Sequence, residues 1–266
     1  MLNGRDIVGR CDVVLLTLDT LRYDVAVSAL ERGLTPNLAS VLPGGRWEER
    51  HTNGSFTYAA HHAFFAGFLP TPASPGPHPR LFAVRFLGSE TITDDTAVFD
   101  APDIVRGFAG RGYHTACVGG VGFFNKQNPL GNVLPGLFAE SHWSPALGVT
   151  DPDSTANQLG LARDIAARTE ERLLLFVNIS ALHQPNRHYT PGATADSPAT
   201  MANALAYVDS QLPALFDAFR RRGPTAYILC ADHGTAYGED GYRGHRLSHP
   251  VVWTVPYAEL VIETET

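Results

Sequence analysis

Carboxylate and imidazole side chains follow three separate apolar runs of the sequence, each within a few residues of the end of the run. The runs and the side chains that follow them are Val13–Leu18 with Asp19, Leu173–Ile179 with His183, and Tyr227–Cys230 with Asp232 and His233. Oxygen and nitrogen donors of these types bind Zn²⁺, Mn²⁺ and Mg²⁺ in proteins, and the eleven histidines favour Zn²⁺ or Mn²⁺. The pattern predicts a site for a divalent metal ion.

Each of these side chains also has a plainer interpretation. Asp19 could cap the helix that follows it, since Asp is a preferred N-cap residue. A histidine after a strand is often no more than a hydrogen-bonded polar residue. Asp232 and His233 are adjacent and precede Gly234, which is a stronger signal. The combination, rather than any single residue, favours the metal site.

The segment 53–62 combines Thr57 with His61 and His62 just before the apolar stretch Ala63–Phe68. A threonine at the start of a helix can be a cap. It can also be a nucleophile, because a helix N-terminus favours bound anions and a metal ion lowers the pKa of a hydroxyl. The sequence leaves both interpretations open.

A glycine-rich loop, Gly238–His249, follows the Asp-His pair and contains His245 and His249. Such a loop could complete a metal site or hold the substrate. It could equally be an exposed loop whose histidines have no special role.

Short apolar runs alternate with stretches of helical spacing along the chain. The predicted strands are Val13–Leu18, a brief run at Ala97–Phe99, His114–Gly119, Leu173–Ile179, Tyr227–Cys230 and Leu260–Ile262, and the predicted helices start near Asp103 and cover Ser154–Glu171 and Met201–Arg221. Continuous apolar strands separated by helices predict a mostly parallel sheet covered on both faces. The fold class is therefore α/β, as a three-layer sandwich. The segment Leu69–Pro79, rich in Pro and Gly, predicts a surface loop.

Composition excludes several classes of protein. The 266 residues are 44% hydrophobic and carry a net charge of −7, which argues against general nucleic-acid binding. Three cysteines without a CxxC pair predict neither a disulfide framework nor a thiolate zinc site. The first apolar run is too short to span a membrane, and no leader-peptide pattern surrounds it. The expected location is the cytoplasm, with no membrane span, and a homo-oligomer is compatible with the sequence.

Six segments in order resemble the alkaline phosphatase and sulfatase superfamily. They are VVLLTLDTLRYD (13–24), TYAAHHAFFAGFLP (57–70), RGYHTACVG (111–119), NISALHQPNRHY (178–189), ALAYVD (204–209) and ADHGTAYGEDGYRGH (231–245). The resemblance covers residues 12–258 and implies an alkaline phosphatase-like fold. It further implies a single catalytic domain over residues 1–266 that lacks the C-terminal subdomain of larger members.

The resemblance also implies roles for individual residues, which bind one or two divalent ions and a small anionic ester. The implied metal ligands are Asp19, Asp232 and His233, together with the nucleophile Thr57. His245 would bind a second ion or the substrate. The implied catalytic residues beside Thr57 are His61, which stands where many sulfatases have an Arg for anionic oxygens, and His183, which contacts the substrate or a second ion.

Departures from the family pattern narrow the expected reaction. Thr57 and Ala59 replace the Cys or Ser and the Pro of sulfatases that form formylglycine, so phosphodiesterase and phosphotransferase members are the better match. Ser180 and Ala181 stand where two-metal members have an Asp. We therefore predict a metal-dependent hydrolase of phosphate esters with a Thr nucleophile. The alternatives are a phosphotransferase or mutase on the same scaffold, and a sulfatase-like binding protein without catalysis.

Overall fold

The computed structural model describes residues 2–66, 80–83, 96–98 and 103–264. The strands are β1 (Asp12–Leu18), β2 (Glu48–His51), β3 (Arg80–Ala83), β4 (Thr96–Val98), β5 (His114–Val118), β6 (Glu140–His142), β7 (Leu173–Ile179), β8 (Thr225–Cys230), β9 (Ala236–Tyr237), β10 (Arg243–Gly244) and β11 (Thr254–Ile262). The helices are α1 (Gly4–Ile7), α2 (Tyr23–Glu31), α3 (Pro36–Val41), α4 (Thr57–Ala66), α5 (Ile104–Ala109), α6 (Pro129–Val133), α7 (Ser154–Arg168), α8 (Pro198–Arg220) and α9 (Pro250–Trp253). The predicted loop Leu69–Pro79 lies outside the described residues.

Seven strands form one sheet in the order β2-β11-β8-β1-β7-β5-β6. The five strands from β8 to β6 run parallel to one another, whereas β11 is antiparallel to both β8 and β2. The central strand β1 lies between β7 and β8, so its direct neighbours both come from the second half of the chain. Two small two-stranded sheets, β3-β4 and β9-β10, lie apart from it.

The alternation of side chains along the central strands produces two apolar layers. Leu16 and Leu18 of β1 belong to one core cluster, together with residues of α2, α7 and α8. Val13 of β1 and Phe176 of β7 belong to the other, together with Phe65 of α4. A fully buried side chain of this size contributes about 1.5–3 kcal/mol relative to an exposed one. The sheet is thus covered on both faces, and the predicted three-layer α/β sandwich is confirmed.

The predicted strands and helices all appear within the described residues, with shifted ends. The run Leu260–Ile262 is the end of the longer β11, which the structure places antiparallel. The strands β2 and β6 at the two sheet edges were not predicted, because their residues are mostly polar and give no apolar signal; β2 is exposed and β6 is half-buried. No helix in the described part of the chain is long and apolar enough to cross a membrane. The single domain over 1–266 stays a prediction.

Candidate metal centre

Two carboxylates and one imidazole converge at the carboxyl end of the parallel strands. In the β1–β8 ladder Thr17 lies opposite Cys230, so Asp19 and Asp232 both stand two residues beyond that pair. The ligand atoms of Asp19, Asp232 and His233 all lie within 4.8 Å of one another, and all three side chains are completely buried. The predicted convergence is therefore present in the structure.

Each carboxylate has one oxygen held by the protein and one oxygen without a partner. Asp19 accepts a hydrogen bond from Nδ2 of Asn178 at 2.9 Å, and Asp232 accepts from the backbone N–H of Thr20 at 3.1 Å and of His233 at 3.0 Å. Oδ1 of Asp19 and Oδ2 of Asp232 are buried and have no hydrogen-bond partner among the described residues. Because buried polar atoms in proteins are nearly always satisfied, these two oxygens fit a bound cation.

The ring of His233 is oriented by its own loop. Nδ1 lies 2.8 Å from the carbonyl oxygen of Gly234, which assigns the ring proton to Nδ1 and leaves the Nε2 lone pair free. Nε2 lies 3.4 Å from Oδ2 of Asp232. A backbone acceptor behind a histidine is a common way to fix a metal ligand. The donor set, two carboxylate oxygens and one imidazole nitrogen, suits Zn²⁺, Mn²⁺ or Mg²⁺.

Burial opposes charge on these groups when they are considered without a cation. Burial, and then the nearby charge of Asp232, raises the pKa of Asp19 to about 6. Burial raises the pKa of Asp232 to about 7 and lowers the pKa of His233. A divalent cation would reverse the shifts of the two carboxylates, because it favours their ionised forms, and it would act with burial in keeping the imidazole neutral.

The raised pKa values of Asp19 and Asp232 predict how pH governs stabilisation by metal. Both folded values exceed the unfolded ones, so the stability that the two groups contribute without metal is greatest below about pH 4 and is lost as pH rises through about 6 and 7. A cation needs both groups deprotonated. We expect the rise in Tm on adding Zn²⁺ or Mn²⁺ to be small near pH 5 and largest near pH 8. Thermal unfolding across this range, with and without metal, measures it; a pH-independent rise would contradict the assignment.

The backbone of the first turn has an unusual conformation. Thr20 has a φ of +62°, a value that non-glycine residues rarely adopt, and this conformation directs its N–H to Asp232 while its hydroxyl donates to the Leu182 carbonyl at 3.1 Å. The helix that follows, α2, has Arg22 as its N-cap, so Asp19 is not a helix cap. A side chain at Gly234 would overlap the Val251 carbonyl oxygen, which explains the glycine after His233.

Thr57 is the first residue of α4 and is 2% exposed. Its Oγ1 lies 3.3 Å from Nε2 of His233. No bond from this hydroxyl to a helix N–H is found among the described residues, so the geometry does not show a capping role. Gly54 packs against the first turn of α4, where a Cβ would lie 2.5 Å from the nitrogen of Ala60. The hydroxyl thus faces the candidate metal ligands at a helix N-terminus.

His61 lies one helical turn beyond Thr57 and is completely buried. Nδ1 lies 2.8 Å from the Thr57 carbonyl oxygen and Nε2 lies 3.0 Å from Oγ1 of Thr17. Burial lowers the pKa of His61 to about 3, so the ring is neutral. Both nitrogens are engaged with protein oxygens, not directed into the cavity, and the contact with substrate oxygens stays a prediction.

Thr17 and Asn178 contact residues of the candidate metal centre but were not identified from the sequence. Nδ2 of Asn178 lies 3.3 Å from Oγ1 of Thr17 in addition to its bond to Asp19. The chain of contacts thus runs from His61 through Thr17 and Asn178 to the first candidate ligand. Both are polar residues inside otherwise apolar strands, and this pattern could have marked them as candidates for the site.

His183 and His245 line a cavity of about 340 Å³ together with Thr57. The ring centroid of His245 lies 4.6 Å from that of His233 and 6.1 Å from that of His183. Burial, and then the neighbouring histidines, lower the pKa of His245 to about 3. The loop after Gly238 therefore does approach the site, as one interpretation predicted.

A second metal ion has less support in the geometry. Ser180 donates its hydroxyl to the Leu147 carbonyl at 2.8 Å, and Ala181 brings no ligand atom. Over the described parts of the chain, one cluster of three or more acidic, His or Cys ligands is found, and it contains neither His183 nor His245. The second ion stays a prediction.

Buried Arg22 connects the turn after β1 to the loop that carries His245. It bonds bidentately to Asp24, with one contact at 2.9 Å, and it also pairs with Glu239. Its role in the structure is therefore to link two segments of the site. His249 is also structural, because its Nδ1 accepts the N–H of Val251 and caps α9.

Comparisons with known proteins agree with this architecture. The sulfatase family profile matches residues 12–257, so the chain belongs to the sulfatase family, within the alkaline phosphatase superfamily. No match was found among the curated protein sequences.

Solved structures with the same fold share little sequence with the chain. The periplasmic domain of phosphoethanolamine transferase EptC from Campylobacter jejuni superposes with a TM-score of 0.63 at 14% identity, covering 95% of this chain and 79% of that one. The EptC periplasmic domain from Escherichia coli, in complex with Zn, gives 0.63 at 13%, covering 97% and 74%. An alkaline phosphatase superfamily protein from Vibrio parahaemolyticus gives 0.58 at 18%, covering 96% and 60%. At these identities the similarity establishes the fold.

Proposed function

We propose that the chain is a metal-dependent hydrolase of phosphate esters in which Thr57 is the nucleophile. The observation that carries the proposal is the position of the Thr57 hydroxyl, 3.3 Å from Nε2 of His233 and at the N-terminus of α4. Beside it lie two buried carboxylate oxygens without partners, one on Asp19 and one on Asp232. The proposed nucleophile Thr57 thus lies at the N-terminus of α4 and next to the candidate cation site.

Asp19, Asp232 and His233 would hold the metal ion, with Thr57 Oγ1 in reach. A bound divalent cation lowers the pKa of a nearby hydroxyl and offsets the charge of phosphoryl oxygens. Asn178 and the backbone N–H of Thr20 keep the two carboxylates oriented. The N-terminus of α4, where Thr57 lies, would stabilise the negative charge of the transferred group.

The reaction proceeds by in-line displacement in two steps. The Thr57 hydroxyl gives its proton to solvent water and Oγ1 attacks phosphorus, and the bond from phosphorus to the alcohol oxygen breaks as the new bond forms. His183, whose Nδ1 lies 2.7 Å from the Gln184 carbonyl oxygen, lines the cavity and gives a proton to the leaving alcohol. Water then attacks the phosphothreonine and releases phosphate and free Thr57.

The transfer of the phosphoryl group to an alcohol instead of water is a second candidate function. It is favoured by the likeness to the phosphoethanolamine transferase structures, and it shares the first half of the reaction. A binding protein without catalysis is the remaining alternative, and it would not need a tightly bound metal. The substrate class in all catalytic cases is a small anionic ester.

The cellular compartment and the assembly state remain predictions. The compared EptC structures are periplasmic domains, and they give the cytoplasmic prediction no support. A homo-oligomer is compatible with the sequence.

Metal content and turnover together test the proposed function. We expect elemental analysis of the purified protein to find Zn or Mn near stoichiometric amounts. The metal-loaded protein should hydrolyse 4-nitrophenyl phosphate or bis(4-nitrophenyl) phosphate, and it should turn over 4-nitrophenyl sulfate more slowly. Phosphorylated product formed with added glycerol would instead support the transferase. Protein that binds no divalent metal and turns over none of these esters would contradict both catalytic proposals.

A further inference from the structure

The cavity beside Thr57 provides a place for the alcohol part of a phosphate ester. Away from Thr57, His183 and His245, its wall comes mainly from the loop after β5. The wall includes the apolar residues Val121, Phe123, Leu130 and Val149 and the amide residues Asn125 and Asn128. Apart from the two histidines, no ionisable side chain of the described residues lines this cavity.

The two amides have oxygens that already accept a hydrogen bond and donors that are unpaired among the described residues. Oδ1 of Asn125 accepts the backbone N–H of Gln127 at 2.9 Å, and Oδ1 of Asn128 accepts that of Gly131 at 2.8 Å. Within the described residues neither Nδ2 has a hydrogen-bond partner. The two Nδ2 groups are therefore available to donate to an oxygen acceptor such as a hydroxyl or an ester carbonyl.

An ammonium group would be poorly accommodated by this wall. It would lose water on entry and would meet amide N–H donors rather than a carboxylate. Phe123 supplies one aromatic ring, whereas strong recognition of quaternary ammonium uses a cage of several. An uncharged alcohol, by contrast, buries its carbons against Phe123 and Leu130 and accepts N–H bonds through its oxygens.

We infer that the site selects phosphate esters of uncharged alcohols over esters of amino alcohols, and that Asn125 and Asn128 determine this selectivity. The inference rests on the proposed function and specifies its substrate class.

Choline and 3,3-dimethylbutanol form a matched pair for the test, because they differ only in a charged nitrogen replaced by carbon. Each alcohol is offered as its phosphate monoester and as its 4-nitrophenyl diester to the metal-loaded protein. We expect kcat/KM to be higher for the uncharged alcohol by on the order of tenfold.

Two variants introduce the missing countercharge without removing the internal hydrogen bonds. Asn125→Asp and Asn128→Asp each keep an oxygen in the Oδ1 position, and Asp serves as well as Asn at the N-cap of α6, which Asn128 occupies. In each variant, kcat/KM for the choline ester should rise relative to kcat/KM for the 3,3-dimethylbutanol ester by on the order of tenfold. Gln127→Glu adds the same charge in the same loop, outside the residues that line the cavity, and should leave the ratio unchanged.

The outcomes separate this inference from the proposed function. Equal turnover of the pair, preference for the choline ester, or a ratio that neither Asp variant changes would overturn the inference and leave the hydrolase intact. The inference would also be overturned if Gln127→Glu changed the ratio of kcat/KM for the two esters as much as the Asp variants do. The cause would then be the overall charge of the loop. If the wild-type protein turned over no ester of either alcohol, the proposed function itself would be contradicted, and the inference with it.

Discussion

Replacing Thr57 by Ala is expected to lower kcat for phosphate ester hydrolysis by on the order of a thousandfold or more, because it removes the atom that attacks phosphorus. The candidate metal ligands Asp19, Asp232 and His233 do not change, so the variant should still bind Zn²⁺ or Mn²⁺. Thr57→Ser restores a hydroxyl at the same place and should recover a large part of the activity. Steady-state kinetics with a 4-nitrophenyl phosphate ester, beside metal titration of each variant, measures both effects.

Thr225→Ala provides the matched control. Thr225 is also a buried threonine, 1% exposed, but it lies at the opposite end of β8 from Asp232. Its removal should leave kcat nearly unchanged. Near-normal turnover by Thr57→Ala with every tested ester would show that Thr57 is not the nucleophile.

Replacing Asp232 by Asn is expected to abolish tight metal binding and to lower kcat on a similar scale. At the same time it should make the metal-free protein more stable at about pH 8, by on the order of 1–2 kcal/mol. The reason for this opposite sign is that burial raises the pKa of Asp232 to about 7, so its ionised form opposes folding when no cation is present. The new amide can still accept from Thr20 N–H, and it can donate to Nε2 of His233.

Chemical denaturation of metal-free protein and calorimetric titration with Zn²⁺ measure the two effects of Asp232→Asn separately. Asp103→Asn is the control, because Asp103 is a buried N-cap of α5 and Asn caps a helix equally well. That variant should keep its metal affinity. Loss of both stability and metal binding in Asp232→Asn, without the predicted gain at high pH, would indicate that Asp232 has a structural role only.

The candidate metal centre could be predicted from sequence because it depends on a simple property of parallel sheets. Strands that end at one edge bring the residues after them together, and Asp19 and Asp232 follow two such strands. Each side chain lies within two residues of the end of its strand, and this short distance was enough to place it at the carboxyl edge of the sheet. Their closeness also depends on the direct pairing of β1 with β8, which the structure shows and the sequence did not.

The role of Thr57 could not be decided from the sequence. A capping threonine and a nucleophile occur at the same place in a helix, and they differ only in what the hydroxyl faces. That depends on His233, which is 176 positions away in the chain. For the same reason the sequence did not show that His61 faces the sheet, where it contacts Thr17 and not the cavity.

Edge strands were the other failure of prediction. β2 reads Glu-Glu-Arg-His, is exposed along its whole length, and among the described strands pairs with β11 alone. Such a segment buries too little apolar surface to leave an alternating pattern. The interior strands β1 and β7, which are buried on both faces, were correspondingly easy to recognise.

The place of β1 between β7 and β8 has a consequence for biosynthesis. The N–H of Thr20 and the carboxylate of Asp232 that it contacts are 212 positions apart, so a ribosome must add nearly the whole domain before both exist. A nascent chain that ends at β7 already contains Thr57 and Asp19 but has no partner with which to trap a cation. Incomplete chains would therefore not bind the metal ion, and metal binding would follow the insertion of β8 into the sheet.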